Sequence, residues 1–248
     1  MRNWITVLTL ATVLSGAVIS EVENNNSPTN KVFKELPVMK VNVYMMGREE
    51  VDPSITIKIF ENIEYLNETF EGEISFEFNE LFMDPNHAYL PDIYAEFKEG
   101  KKEVVEPIVD PIEKKGAINV FLFDTYAENG SNAALMGFTP LLKQRQDSYS
   151  TNSPRFDRIL MAYEGLEENK TLVHEMGHFF GLKHPWEITT FAKHQLGIKN
   201  TNEEAKNHMS YGEEVERFTP QQLESMRNYA LKYRKYLMER VVRVYAGA

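Results

Sequence analysis

The chain lacks cysteine altogether among its 248 residues. Without thiols it forms no disulfide bond, no thiolate zinc site and no cysteine nucleophile, so any metal must be held by His, Asp or Glu. Histidine is scarce as well, with six in the chain. Positive charge is in deficit, because the formal net charge is −10 and the pI about 5.2. No basic stripe offsets this deficit, and nucleic acid is therefore not an expected partner.

One extended apolar run opens the chain, and long runs of this kind are otherwise missing. Residues 1–20 read MRNWITVLTLATVLSGAVIS, with one Arg, an apolar stretch and then small residues. This order is typical of a secretory signal peptide, and the stretch is too short to span a bilayer comfortably. We predict export with cleavage near residues 17–20 and no stable membrane insertion afterwards; a membrane anchor or a buried N-terminal helix is the alternative. Residues 21–37 are predicted to form a flexible segment.

The rest of the chain has the composition of a globular domain, with 42% hydrophobic residues. Residues 73–83 alternate apolar and polar, which indicates a half-exposed strand, and the continuous apolar run 117–124 indicates a central one. Gly and Pro within 133–141 favour an edge strand there. The remaining predicted elements are strands at 38–47 and 156–165 and helices at 52–72, 169–181 and 219–245. This order predicts one domain of the α/β or α+β class with a mixed twisted sheet.

The stretch TLVHEMGHFFGLKH (171–184) holds three of the six histidines. His174 and His178 are one helical turn apart, so both side chains point the same way and can reach one Zn²⁺. Gly181 can end the helix in the left-handed conformation, which lets His184 return as a third ligand. Glu175 is then placed to act as general base on a water at the metal. Three histidines that leave one position open indicate a catalytic zinc; a structural zinc site or unrelated core histidines are the alternatives.

The spacing H-E-x-x-H-x-x-G-x-x-H resembles the motif of the metzincin metalloproteases. That family also carries a downstream Met-turn, and NHMSYG (207–212) matches it. The resemblance implies that Met209 forms an apolar floor beneath the imidazoles. It also implies that the Tyr211 hydroxyl stabilises the oxyanion of the tetrahedral intermediate. The alternative for both residues is ordinary packing on a loop.

The region from about 38 to 240 is similar to the pappalysin-like (cytophagalysin) metzincins. The similarity rests on the order of YLNETF, ISFEF, INVFLF, MGFTP, FDRILM, LVHEMGHFFGLKH, NHMSY and RFTPQQLESMR. It implies a metzincin catalytic domain over 38–248, with a mainly parallel twisted sheet, an antiparallel edge strand, an active-site helix and a C-terminal helix. Substrate would pair as an added β-strand with the edge strand at about 133–139.

The chain departs from these relatives between the third histidine and the Met-turn. The segment 185–206 is short, whereas many of these relatives carry a long insertion there. The lack of cysteine excludes latency through a cysteine switch. One catalytic Zn²⁺ is expected; calcium remains open at 200–207, although no ordered loop motif indicates it. His87, His194 and His208 are predicted to be surface or loop histidines. The acidic run YGEEVER (211–217) is a candidate for recognising basic substrate side chains.

Together these patterns predict a secreted zinc endopeptidase that acts on peptide or protein substrates; the sequence does not indicate an oligomeric state. The resemblance implies that Glu175 helps to activate water, which attacks the scissile carbonyl, and then passes the proton to the leaving amine. Two alternatives remain open. One is a processing protease or toxin with a narrow target, and the other is a zinc-binding adhesion module without catalysis. The presence of Glu175 argues against the second, because its loss is the simplest route to inactivity.

Overall fold

The computed structural model describes residues 33–89, 106–124, 136–139, 158–212 and 214–245. The strands are β1 (Phe33–Met46), β2 (Ser75–Asp84), β3 (Ile118–Phe123), β4 (Gly137–Phe138), β5 (Arg158–Ala162) and β6 (Met238–Tyr245). The helices are α1 (Pro53–Thr69), α2 (Glu106–Val109), α3 (Lys170–Phe179), α4 (Thr190–Gln195), α5 (Thr201–Ala205) and α6 (Pro220–Tyr233). In this part of the chain no helix combines the length and apolarity needed to cross a membrane.

The strands form one six-stranded sheet in the order β2-β1-β3-β5-β4, with β6 also paired to β1. The β1–β2, β1–β3 and β3–β5 pairs are parallel, whereas β4 runs antiparallel to β5. All six residues of β3 are buried, as expected for a central strand covered on both faces. The predicted mixed, mainly parallel sheet with an antiparallel edge strand is confirmed. Of the predicted edge strand 133–141, residues 136–139 lie within the described part.

The helix predicted at 219–245 is wrong in its second half. A capping box at Thr219 starts α6 as expected, but the helix ends at Tyr233. The next side chain, Arg234, is only 1% exposed, and its guanidinium lies 4.0 Å from the centroid of the Phe179 ring. A 3-10 turn (Lys235–Leu237) then redirects the chain into β6. The buried Arg234 thus fixes the end of α6 against the end of α3.

The start of the domain also differs from the prediction. Residues 33–37, assigned from sequence to the flexible segment, form the first part of β1 and pair antiparallel with β6. The run VVRVY in β6 is rich in β-branched residues, which favour a strand when a partner is available. The predicted boundary at residue 38 therefore lies inside β1. The predicted signal peptide (residues 1–20) lies outside the described residues.

Helix α1 positions the helix that carries the histidines. It begins as predicted, with Asp52 accepting a hydrogen bond from the Ser54 amide (2.8 Å) and a proline at its first position. Its fully buried Asn62 donates to the Leu166 carbonyl and to Asn169 Oδ1, both at 2.8 Å. Because Asn169 is the cap residue of α3, these bonds fix the start of α3 relative to α1.

Candidate metal centre

Helix α3 is held by its apolar side chains, which leave one face for the first two histidines. Leu172, Val173 and Met176 are at most 3% exposed and belong to the main core. His174 and His178 lie one turn apart on the other face, with ring centroids 4.8 Å apart. The amphipathic pattern predicted from sequence is confirmed, and it fixes the direction in which both imidazoles point.

Gly181 ends this helix region in the way its sequence position predicts. Its φ is +87°, and a Cβ at this position would lie 2.7 Å from the Tyr229 ring. The Gly181 amide donates to the His178 carbonyl and the Leu182 amide to the Gly177 carbonyl, both at 2.9 Å. This pair of bonds is a Schellman motif, which satisfies the last carbonyls of a helix and reverses the chain.

The reversal brings His184 to the first two histidines. The Nε2 of His184 lies 3.1 Å from the Nε2 of His178 and 3.3 Å from that of His174. Three imidazole nitrogens bound to one tetrahedral zinc at about 2.0–2.1 Å would be separated by about 3.3–3.4 Å. The observed separations match this spacing, so the three residues that sequence reasoning selected form a group able to hold a metal ion.

The Nδ1 atom of each of the three imidazoles faces a hydrogen-bond acceptor in the protein. The acceptors are the His208 carbonyl for His174 (2.6 Å), the Leu182 carbonyl for His178 (2.9 Å) and a Glu187 carboxylate oxygen for His184 (3.0 Å). With the protons on Nδ1, all three Nε2 atoms present lone pairs to one another. Such an arrangement is unfavourable without a cation between them, and histidines that bind metals usually donate their other ring N–H to an acceptor of this kind.

The protonation states of the three histidines also suit metal binding. Burial lowers the pKa of His174 to about 4 and that of His178 to about 4, and it also lowers the pKa of His184. The imidazoles are therefore neutral at neutral pH, which is the form that binds a metal.

Glu187 belongs to the site although sequence reasoning did not select it. Its Oε2 accepts hydrogen bonds from both the backbone amide and the Nδ1 of His184, each at 3.0 Å. The signal was present as His-Pro-x-Glu at 184–187, the spacing of a capping box with proline at the first helical position. The carboxylate therefore fixes the orientation of the third imidazole.

Replacing Glu187 with Ala is expected to weaken zinc binding by about 10- to 100-fold, because His184 loses its orienting acceptor. Glu187→Gln retains an acceptor oxygen and should lose less. Competition with a chromophoric chelator measures the affinity, and Glu168→Ala, which removes an exposed carboxylate, serves as the control. Equal zinc affinity in the Glu187→Ala and Glu168→Ala proteins would show that the contact is incidental.

The side chain of Glu175 extends from α3 towards Gly137 of the edge strand β4. It is 5% exposed, and its Oε2 has no hydrogen-bond partner. A Cβ at Gly137 in β4 would come within 2.6 Å of the Glu175 Cγ, so only glycine leaves room for this side chain. Burial raises the pKa of Glu175 to about 8. A buried carboxyl group with an unused oxygen is equipped to exchange a proton with a bound molecule.

The turn after α5 packs Met209 beneath α3. Met209 is fully buried, and a Cβ added at Gly177 would lie only 2.4 Å from its Sδ. The Asn207 side chain shapes the turn. Its Oδ1 accepts a hydrogen bond from the Met209 amide (3.0 Å), and its Nδ2 donates one to Gln222 Oε1. Tyr211, two residues on, is 71% exposed, and its hydroxyl lies 3.0 Å from His184 Nε2. The turn therefore brings Tyr211 to the histidine group.

His208 was predicted to be a surface or loop histidine; it lies in a turn, but it is not at the surface. It is 1% exposed, its ring packs against Phe218 at 4.9 Å between centroids, and its amide donates to the Arg217 carbonyl. The turn that buries Met209 also buries its neighbour, while the His208 carbonyl supports His174. His194 is exposed as predicted.

The segment considered for calcium forms α5 and its flanks. Glu203 accepts a hydrogen bond from the Lys199 amide (2.6 Å), and Glu204 forms an ion pair with Lys193 (2.7 Å). Among the described residues, the three histidines of the centre are the group in which His, Asp or Glu side chains are arranged to hold a metal.

Comparison with known proteins adds little to this geometry. No protein-family model matches the chain, and no curated protein does. Among solved structures, the crystal structure of metalloproteinase-II from Bacteroides fragilis aligns over 78% of this chain and 53% of its own, with a TM-score of 0.44 and 12% identity. This chain thus spans about half the length of that protein. Similarity at this level carries no conclusion about function.

Proposed function

We propose that the protein is a zinc-dependent endopeptidase of the metzincin type, with His174, His178 and His184 as metal ligands. The observation that carries the proposal is the convergence of three imidazole Nε2 atoms at 3.1 and 3.3 Å beside the Tyr211 hydroxyl. The resemblance of the sequence motif to metzincins, and within them to the pappalysin-like group, supports the same reaction.

The donor set favours zinc and a catalytic role. Three neutral imidazoles without a thiolate suit a site that keeps its fourth position for water or substrate. A zinc ion held there supplies Lewis acidity and lowers the pKa of the water that it binds.

The roles of the protein side chains follow from their positions. A cation held by the histidines would favour the ionised form of Glu175 over the protonated form that burial alone favours. The carboxylate then accepts a proton from the attacking water as the water oxygen bonds to the scissile carbonyl carbon. It then passes that proton to the amine as the carbon–nitrogen bond breaks. The Tyr211 hydroxyl donates a hydrogen bond to the carbonyl oxygen as negative charge develops on it. Met209 supports the histidines by packing against α3.

A substrate chain would pair with the open edge of β4. In the described part of the sheet, β4 is the last strand on this side, and its Gly137 lies against Glu175. An extended peptide added to that edge would run past the general base with its backbone fixed by hydrogen bonds. This geometry favours cleavage within a chain, as in an endopeptidase.

The test is cleavage of an unfolded protein by the purified, zinc-loaded chain, with the products identified by mass spectrometry. We expect internal cleavage that a chelator abolishes and added zinc restores. Cleavage that persists after the metal has been removed would contradict the proposal. A chain that holds one zinc and leaves both unfolded proteins and mixed extracellular proteins intact would favour the non-catalytic module, whereas one cleaved protein in the mixture would indicate a narrow target.

We further propose that the enzyme acts outside the cytoplasm, on the basis of residues 1–20 alone. The N-terminal sequence of the protein recovered from the exported fraction tests this, and a mature chain that retains residues 1–20 would contradict it.

A further inference from the structure

Trp186 lies directly against the third metal ligand. Its ring stacks on the His184 imidazole with 4.4 Å between centroids and an angle of only 7° between the planes. The residue nevertheless remains 52% exposed. About half of the side chain is thus apolar aromatic surface left in water directly beside the third ligand.

Tyr211 completes an aromatic corner with Trp186 and His184. The centroids of Tyr211 and Trp186 are 5.0 Å apart, with 50° between their planes. Tyr211 is also exposed, and its hydroxyl lies at the histidine group. Exposed aromatic surface is therefore concentrated at the point where the reacting carbonyl would bind.

We propose that Trp186 is a specificity-determining residue whose exposed surface binds a large apolar side chain, preferably aromatic, one or two residues from the scissile bond. The inference rests on the proposed peptidase function. Consecutive Cα atoms of a peptide are about 3.8 Å apart. When the scissile carbonyl lies at the histidine group, the side chains one or two residues away are therefore within reach of the Trp186 ring, which stacks on His184. Burial of an aromatic or large aliphatic group against indole is favourable, and ring pairing adds to it.

Two carboxylates of this region already have partners. Glu187 is engaged by His184, and Glu216 of the acidic run forms an ion pair with Lys206 (3.1 Å). A lysine or arginine of the substrate would have to compete with these partners at Glu187 and Glu216. Glu214 of the same run is exposed, so a preference for basic residues is one of the outcomes that the cleavage sites decide. An apolar side chain displaces only water.

The first test compares cleavage sites and kinetics of the zinc-loaded wild type, Trp186→Ala and Trp186→Phe. Wild type should cut near Phe, Tyr, Trp, Leu or Met. Trp186→Ala should lose about tenfold in kcat/KM on a peptide with Phe at that position, mainly through KM, and change little on the matched Ala peptide. Trp186→Phe should retain most of the preference.

Phe191→Ala is the matched control, because Phe191 is 73% exposed and, among the described residues, contacts none of the rings at the centre. Its preference should equal that of wild type. Equal losses on the Phe and Ala peptides in Trp186→Ala, with zinc content retained, would overturn the proposal and reduce Trp186 to a brace for His184. A wild-type preference for basic or small residues would overturn it as well.

A binding measurement separates this inference from the proposed reaction. The chain has two tryptophans, Trp4 and Trp186, so the full chain with Trp4→Phe reports on Trp186 alone. With Glu175→Gln added to prevent turnover, the Phe peptide should shift Trp186 fluorescence saturably and the Ala peptide should not. That response, together with no cleavage by the zinc-loaded protein that retains Glu175, would refute the peptidase and keep the apolar subsite. No difference between the peptides would refute the subsite, even if cleavage is observed.

Discussion

Replacing Glu175 with Gln is expected to lower kcat by about 10²- to 10⁴-fold, the usual contribution of a general base. The substitution keeps the size of the side chain, so the close approach to Gly137 is preserved. The three histidines and their acceptors are untouched, and zinc content should therefore remain at the wild-type level. The metal-free protein should be at least as stable as wild type, because a buried carboxyl group without a full set of partners is removed.

Glu168→Gln makes the same chemical change on an exposed residue two positions before α3 and should leave kcat unchanged. Kinetics on a fluorogenic peptide, together with zinc analysis and thermal unfolding of each protein, form the complete measurement. A Glu175→Gln protein that retains wild-type turnover would remove Glu175 from the mechanism. A protein that loses zinc as well as activity would show instead that Glu175 supports the metal site.

Removal of zinc is expected to lower the free energy of unfolding by about 4 kcal/mol, when the reference is zinc at about a thousand times its dissociation constant. For a chain of this size, that change corresponds to a fall in Tm of about 10 °C. The reason is that the ligands come from α3 and from the chain beyond the Gly181 reversal, so the metal binds only the folded arrangement. Calorimetry with and without a chelator measures the difference.

Two histidine variants make this experiment specific. His178→Ala removes one ligand, and its Tm should be nearly the same with zinc as with chelator. His194→Ala removes an exposed histidine from α4 and should keep the full zinc-dependent shift. A shift that survives in His178→Ala would show that zinc stabilises the protein at another place.

Elements specified by local pattern were predictable from sequence. The capped, amphipathic α1 begins where Asp52 and Pro53 indicate, and α3 ends just before the glycine whose positive φ the motif requires. The histidine group follows from the same local rules, because helical spacing and one chain reversal bring its members together. Their roles in binding and catalysis remain predictions.

Features that depend on distant partners were not predictable. β6 has charged residues at helical spacing, and only its pairing with the first half of β1 makes it a strand. His208 is buried because its turn packs beneath α3, and polar loop residues around it gave no sign of that packing. Glu187 was overlooked because an acidic residue three positions after a histidine acquires meaning only when its carboxylate is seen on Nδ1.

The pairing of β1 with β6 has a consequence for biosynthesis. Phe33 lies opposite Tyr245, so the beginning of β1 cannot complete its pairing until the chain has been synthesised as far as residue 245. Until then, one half of β1 has unpaired backbone groups, a state that favours association with other chains. The second half of β1 needs no such wait, because it pairs with β2 and β3, which are synthesised earlier. Synthesis of β6 therefore sets the moment at which the exposed half of β1 becomes protected.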